Sequence, residues 1–464
     1  MKDIKIAYLG GGSKQWARVF MTDLAVTEGL EGEIALYDID IESAVRNQQI
    51  GANINLSPNT KSHWDYTVCK HIEDALKDAT FVVISILPGT FEEMRSDVHA
   101  PEKYATYQSV GDTAGPGGVL RSMRTVPIYE FFAQKIKEYC PKTWVINFTN
   151  PMSICTKTLY DVFPEIKAFG CCHEVFHTQD FLCDILKEET GIDAKRDELY
   201  TDVIGINHFT WITSAKYKDI EIMDYMDNYI SKFYEMGHYE HGTADDYKTD
   251  TFAYANRVKM DMYKRYGVLP AAGDRHLAEF MNSSWYLDSL AQIADWKFAL
   301  TTVDFRVKQQ KERIEESIQM AEGTKPVDVK KSDEEAVDIM RAILGLSTKI
   351  SNVNLPNVGQ MPGYPIGAIV ETNALFSNDS VNPITARSLP TAPTNLVMRC
   401  LYNIENLYEG IKERDLNKIF ACFVNQPLCS KLTLTQAKEL FQEMVLNTRT
   451  YLDEYYDLDE YFKI

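Results

Sequence analysis

The sequence predicts an α/β protein, with a Rossmann-type N-terminal domain over residues 1–200 and an α+β domain over residues 201–464. Three observations carry that expectation. The run Ile4-Lys5-Ile6-Ala7-Tyr8-Leu9 has strand length and stops at Gly10-Gly11-Gly12-Ser13, after which a helical pattern extends from about Trp16 to Thr27. Apolar strand-length runs then alternate with helical ones. Past residue 200 the alternation gives way to neighbouring strand-like runs, an irregular stretch and long charged helices. At 464 residues the chain can bury a large core.

The opening is the dinucleotide-binding pattern. Glycines let the backbone approach a pyrophosphate, and the free N–H groups of the next helix hold it. The usual third glycine position holds Gln15. Glu33-Ile34-Ala35-Leu36-Tyr37 reads as the second strand and ends at Asp38. A carboxylate there accepts hydrogen bonds from the ribose hydroxyls and repels a 2′-phosphate, which favours NAD over NADP. Gly10, Gly11, Gly12, Ser13 and Asp38 are therefore the expected cofactor contacts; the competing reading is an α/β turn without a ligand.

Tyr66–Cys69, the helical Ile72–Lys77, the buried-looking Phe81–Ile86 and the run Thr143–Asn147 continue the alternation. The last ends in Phe148-Thr149-Asn150-Pro151, where Asn150 either contacts a ribose or substrate hydroxyl or caps the helix that Pro151 begins. Four glycines and a proline make Ser109 to Gly118 a loop, followed by a helix on which Arg121 and Arg124 share a face. Each is a candidate for a substrate carboxylate or a partner in an ordinary salt bridge.

Cys172, in Gly170-Cys171-Cys172-His173-Glu174-Val175, follows the strand-like run Lys167–Gly170, and His208, in Gly205-Ile206-Asn207-His208, follows Asp202–Ile206. In a parallel-type sheet both emerge on the dinucleotide side. A thiolate and an imidazole can hold a divalent metal and leave most of its shell open, which suits catalysis; separately they read as a packing cysteine and a hydrogen-bonded core histidine. Leu199–Asn207 and Thr210–Ile212 read as strands of a second layer. Residues 219–266 read as irregular helical segments capping a site, and Gly267 to His276 as a turn that gathers Asp274, Arg275 and His276. Residues 295–321 read as a helix, 322–336 as a polar surface excursion, 352–373 as a loop and edge strand, and about 394–416 and 434–455 as closing helices.

The formal charge of -19 argues against nucleic acid or an anionic membrane as partner, and an anionic substrate would need local cations. Nine scattered cysteines point to reduced thiols. With no signal-like start and no apolar run near the ~18 residues of a membrane span, a cytoplasmic protein is expected.

The glycine loop, Asn150-Pro151, Cys172-His173-Glu174-Val175, Asn207-His208 and the Gly267 to Asp274 loop stand in the order and spacing of the family 4 glycoside hydrolases, which the chain resembles over nearly its whole length. The Cys-His-Glu-Val tetrapeptide is similar to the form associated with α-galacturonidases. This resemblance implies a lactate/malate dehydrogenase-like C-terminal domain, NAD, and a divalent metal, Mn2+ in most of the family. It implies hydrolysis by transient oxidation at sugar C3, metal-assisted loss of the C2 proton, elimination, water addition and re-reduction. It further implies Cys172 and His208 as metal ligands, Asp274 as the C2 base, and His173 or Glu174 as candidates for the general acid. Asn150 and Asn207 look like sugar contacts, and Asp112 stands near the reacting carbon and the cofactor. For a uronate carboxylate the candidates are Arg121 and Arg124, with Arg95 and Arg275 as rivals. The expected function is removal of α-linked galacturonic acid from small uronides by a homodimer or homotetramer. The alternatives are an α-galactosidase or α-glucuronidase of the same family, a 2-hydroxy acid dehydrogenase, and an NAD-responsive binding protein.

Overall fold

Strands whose side chains are buried on both faces set the architecture of the N-terminal half. The computed structural model describes residues 2–239 and 246–463. It opens with β1 (Lys2–Leu9), α1 (Trp16–Val26), β2 (Leu30–Tyr37), α2 (Ile41–Asn55), β3 (Trp64–Cys69), α3 (Ile72–Leu76), β4 (Phe81–Ile84) and α4 (Phe91–His99). Next come α5 (Gly115–Tyr139), β5 (Trp144–Asn147), α6 (Met152–Val162), β6 (Lys167–Gly170) and α7 (Glu174–Thr190). The six strands run parallel in the order β3-β2-β1-β4-β5-β6, the doubly wound arrangement of dinucleotide-binding domains. β4 is buried throughout, as a central parallel strand covered by helices on both sides must be.

Two glycine clusters make close approaches possible. Gly10 has φ +100°, and a Cβ there would lie 2.0 Å from the Ser85 carbonyl oxygen. The predicted loop holds from Ser109 to Ala114, but its last four residues, Gly115 to Gly118, are the first turn of α5, with Pro116 near its start. A Cβ on Gly117 would come within 2.6 Å of the Gly111 oxygen, and one on Gly118 within 2.3 Å of the Thr113 oxygen. The glycines thus let this helix start pack directly against the backbone of residues 111–113.

The second half continues with β7 (Tyr200–Ile206), β8 (Phe209–Tyr217), β9 (Ile220–Glu221), α8 (Met226–Phe233), α9 (Arg257–Tyr266), β10 (Leu269–Pro270), α10 (Asp274–Glu279), α11 (Ser283–Tyr286), α12 (Leu290–Asp295) and α13 (Val303–Ala321). It closes with α14 (Ala336–Ile343), β11 (Lys349–Pro356), β12 (Ile369–Ser377), β13 (Ser380–Pro383), α15 (Thr391–Lys412), α16 (Leu416–Val424), α17 (Leu434–Asn447) and α18 (Leu458–Phe462). Part of the predicted irregular stretch 219–266, residues 240–245, lies outside the described residues.

β7 and β8 do not form a second layer. They extend the same sheet, whose order continues β6-β11-β12-β7-β8-β10, and β11 and β12 are interior strands rather than the expected loop and edge. Three successive antiparallel pairings, β6 with β11, β11 with β12 and β12 with β7, make β7 run opposite to β6. The parallel-sheet premise for placing Cys172 and His208 together therefore fails, although the two residues do meet. One core cluster joins Ile6, Leu36 and Phe81 of the parallel strands to Ile339 and Met340 of α14 and to Val353 and Phe376 of β11 and β12. The polar segment 322–336 is also tied inward: the Ser332 N–H and hydroxyl donate to buried Asp23 of α1 at 2.6 and 2.5 Å. Among the described residues no helix is long and apolar enough to cross a membrane.

Candidate active site

The glycine loop forms a cradle at the C-terminal end of β1. Gly10 and Gly11 both donate to the Tyr37 carbonyl at 2.9 Å. The Gly12 N–H donates to Asp38 Oδ2 at 2.7 Å, and the Asp40 N–H to Asp38 Oδ1 at 2.8 Å. Asp38 therefore fixes the loop with one bond to each oxygen, and each oxygen keeps a lone pair for another donor. Ser13 accepts the Trp16 N–H at 3.1 Å, and Asn47 donates to the Gly11 and Ser13 carbonyls. What remains is a glycine turn leading into a helix start, with exposed Ile39 following Asp38.

The second feature is a knot of metal-ligating groups. Cys172 sits between β6 and α7, His208 in the tight turn joining β7 to β8, Asp112 ahead of α5, and His276 in α10. Cys172 Sγ lies 3.2 Å from His208 Nδ1, and ligand atoms of Asp112, His208 and His276 all lie within 4.8 Å of one another. The two histidine rings stack with centroids 4.1 Å apart. Asn150 Nδ2 reaches His208 Nε2 at 3.0 Å and Asp112 Oδ2 at 3.4 Å, so Asn150 serves this knot rather than capping α6. The peptide bonds Asn150–Pro151 and Asn207–His208 are both cis.

Electrostatics suit a cation here. Burial, reinforced by His276, holds His208 down at about 3, so its ring is neutral and keeps a lone pair. Burial and then Glu371 push the Cys172 thiol well up, so this sulfur is protonated until a cation displaces its proton. Burial also raises the Asp112 carboxyl, but Arg121, His276, His208 and Arg306 outweigh it and hold the group well below the usual carboxylate range. Burial lowers His276, but Glu174 outweighs it and holds that ring raised and charged; the sulfur, the neutral His208 ring and the Asp112 carboxylate are the donors that fit a divalent transition-metal ion.

Asp274 is fully buried at the start of α10. Its Oδ1 accepts the Lys259 N–H at 3.0 Å, its Oδ2 has no partner, and burial pushes its carboxyl up to about 6. Glu174 is held from both sides: Oε2 accepts the Gly273 N–H at 2.9 Å, and Oε1 lies 3.4 Å from His276 Nε2. It thereby ties α7 to the turn that carries Asp274. His173 stacks on Trp16 and pairs through Nδ1 with Glu334 at 3.4 Å. Burial lowers its pKa, but Glu334 outweighs that and leaves it raised. Asn207 donates to Glu371 at 3.1 Å and leaves its buried Oδ1 without a partner.

The arginines separate by environment. Arg124 forms a fork-to-fork pair with Asp97, Nη1 to Oδ1 at 3.1 Å and Nη2 to Oδ2, with both side chains at most 2% exposed. Arg95 pairs at 2.7 Å with Asp304 where the two side chains are 39% and 82% exposed. Both guanidiniums already hold protein carboxylates. Arg121, which donates to the Asn150 carbonyl at 3.1 Å, and Arg275, which donates through Nη1 to Thr301 Oγ1, remain.

Sequence reasoning missed several participants. His276 lay in the quoted turn without a role, and its spacing of two from Asp274 was the available signal. Glu279 and Glu371 are buried acids that organise backbone and amides. Oε1 of Glu279 accepts the Val110 and Gly111 N–H groups at 2.7 and 2.9 Å, fixing the strand of chain before Asp112. Arg306 lies in a charged helix with nothing local to distinguish it from its neighbours.

Residues 5–188 match the family model described as Family 4 glycosyl hydrolase, and residues 203–429 match that of the Family 4 glycosyl hydrolase C-terminal domain. An alpha-galacturonidase from Thermoanaerobacterium saccharolyticum is 49% identical over 452 residues, covering 97% of each chain. The crystal structure of lplD from Bacillus subtilis superimposes with a TM-score of 0.91 at 42% identity, over 96% of this chain and 100% of that one. A 6-phospho-alpha-glucosidase from gut microorganisms, solved in complex with NAD and Mn2+, has the same fold with a TM-score of 0.81 at 17% identity, over 97% and 99% of the two chains. With both halves matched and this identity along almost the full length, the chain belongs to family 4 of the glycosyl hydrolases, and it is a glycosidase.

Proposed function

We propose that the enzyme removes α-linked galacturonic acid from small uronides, with NAD in the glycine cradle and Mn2+ or a related divalent ion in the knot around His208. The observation that carries this reading is the contact of Cys172 with His208 beside Asp112, near Arg121 and Arg306, which form no ion pair among the described residues. The name of the 49% identical relative supports the sugar, and the complex with NAD and Mn2+ in the more distant relative supports the cofactors.

When bound, the nicotinamide supplies a reversible hydride acceptor for sugar C3, and the cation supplies Lewis acidity to the C2 and C3 oxygens. The chain's own residues do the rest. Cys172 and His208 would hold the cation, with Asp112 as a further donor within reach; His276 would join only on giving up the proton that Glu174 favours. Asp274 takes the C2 proton: Lys259 N–H steadies one carboxylate oxygen, the other is free, and a pKa near 6 suits a base working close to neutrality. His173, charged through Glu334, donates a proton to the leaving oxygen. Asn150 and Asn207 each keep a buried amide oxygen without a partner, available to sugar hydroxyls. Glu174 keeps the Asp274 turn and His276 in place. In this division of labour residues 1–200 hold the dinucleotide and residues 201–464 supply the base and His208.

The test uses p-nitrophenyl α-galacturonide and α-galactoside with NAD and Mn2+. Hydrolysis of the galacturonide without net NADH release is expected. Activity on the neutral galactoside alone refutes the choice of sugar, and stoichiometric NADH release from a 2-hydroxy acid refutes the glycosidic reaction.

A further inference from the structure

We infer that Arg306, together with Arg275, is the receptor for the carboxylate of a hexuronate substrate, an assignment that rests on the galacturonidase reading above and adds to it the residues that choose the acid over the neutral sugar. Arg306 stands one turn into α13. Its guanidinium makes no hydrogen bond or ion pair with any described residue, and its Nε is sealed from solvent without a partner. Arg275 is in a similar state: Nη1 is held by Thr301 Oγ1, the plane lies over Phe252 at 4.9 Å, and Nε is buried and unpartnered.

The neighbouring acids do not satisfy these two arginines. Glu279 is occupied by two backbone N–H groups, and burial pushes its carboxyl up to about 7. Asp112 accepts from Thr113 Oγ1 at 2.9 Å and is approached by Asn150, yet no arginine forms an ion pair with it among the described residues. Arg306 and Arg121 are nevertheless close enough to Asp112 to act on its charge, and Arg275 and Arg121 are close enough to Arg306 to repel it. Two guanidiniums, Arg121 and Arg306, thus act on one loop carboxylate, with Arg275 close to Arg306, in a chain of formal charge -19. Arg306 is partly exposed, but a guanidinium edge sealed from water without a partner is costly, and a planar carboxylate presented to the fork offsets that cost.

The platform is built to hold position. Thr301 N–H donates to the Ser109 carbonyl at 2.9 Å, Val303 N–H to His99 Nε2 at 3.1 Å, and Thr302 caps α13 by accepting the Phe305 N–H. Outside, Arg95 grips Asp304. Arg306 is therefore fixed to the same stretch, residues 109–112, that presents Asp112. A C6 carboxylate would find two guanidiniums that no protein carboxylate occupies among the described residues; a C6 hydroxymethyl group would leave both without a counter-charge, which is how a charged site rejects the neutral ligand.

The experiment compares the holoenzyme, with NAD and Mn2+, to its R306Q and R306K variants. Three readouts are taken: kinetics on p-nitrophenyl α-galacturonide, calorimetric binding of free galacturonate and of galactose, and NAD affinity. For R306Q the expected result is a KM for the galacturonide and a Kd for galacturonate raised roughly ten- to a hundred-fold, the value of one lost charge-assisted contact. The galacturonate-to-galactose affinity ratio should fall by the same factor, with NAD affinity unmoved. R306K, which keeps the charge without the planar fork, should fall between, and it keeps the test alive if R306Q does not fold. Equal losses for both sugars, weakened NAD binding, or no change in a wild type that prefers the galacturonide each overturn the assignment. A wild type that binds and cleaves only the neutral sugar overturns the assignment and the galacturonidase reading together, and that outcome is recognised before any variant is made.

Discussion

Replacing Arg124 by Met should destabilise the enzyme while leaving its choice of sugar intact. Arg124 and Asp97 are sealed from water and joined by two hydrogen bonds, and the arginine also donates to Thr448 Oγ1 at 3.1 Å, which links α4, α5 and the end of α17. Burial pushes the Asp97 carboxyl up, and Arg124 only partly offsets this. Removing the arginine leaves a buried carboxylate without its counter-ion, a loss of about 3–5 kcal/mol in comparable pairs. Unfolding entropy near 2.1 cal/mol/K per residue makes a 464-residue chain lose about 1 °C per kcal/mol, so Tm should fall by roughly 3–5 °C. Adding Asp97→Leu to Arg124→Met should recover much of that fall, because two neutral residues can replace a buried pair without stranding a charge. Differential scanning calorimetry measures the shifts, and kinetics on galacturonide and galactoside measure selectivity. A variant with an unchanged Tm and a selective loss of galacturonide binding would show that Arg124 receives substrate.

Two other predictions follow from buried acids. Burial is the largest cause raising Asp23 from 3.8 to about 6, so between those values the folded chain holds a proton that the unfolded chain has released, and stability falls as pH rises through that window. The difference corresponds to about 3 kcal/mol at most; Asp23→Asn, which can keep both contacts to Ser332, should be more stable than wild type at pH 8 and equal to it near pH 4, and thermal melts across pH that run parallel for the two proteins would contradict this. Asp274→Asn should lower kcat on the galacturonide by about 10²–10⁴-fold and abolish deuterium incorporation at C2 of the product in D2O, with NAD affinity retained; undiminished C2 exchange would exclude Asp274 as the base.

The parallel half of the fold was legible because buried strands such as Phe81–Ile84 are unbroken apolar runs and the glycine turn after β1 has its own chemistry. β11 was not legible, because Ser351, Asn352 and Asn354 make it look like a loop. These polar residues are buried, with Asn352 donating to Glu371 at 2.7 Å, so the sheet beneath the site carries amides where a hydrophobic pattern is normally sought. Cys172, His208 and Asp274 were visible through motif and spacing. The arginines could not be ranked that way: all have the same side chain, and only tertiary contacts separate Arg124, locked to Asp97, from Arg306, which has no such partner among the described residues. The contacts of Glu174 with Gly273 and His276 are likewise tertiary and leave no trace in its tetrapeptide.

The position of β11 and β12 also governs how the molecule can be made. Both lie beyond residue 348 in the chain, yet they stand in the sheet between β6 and β7, which end at residues 170 and 206. During synthesis the two earlier blocks emerge with open strand edges facing each other, and only the late hairpin can close the gap. Such open edges invite pairing with other chains. A fragment cut near residue 330 should therefore self-associate, and completion of the sheet, dependent on contacts nearly two hundred residues apart, should be slow relative to formation of the helices.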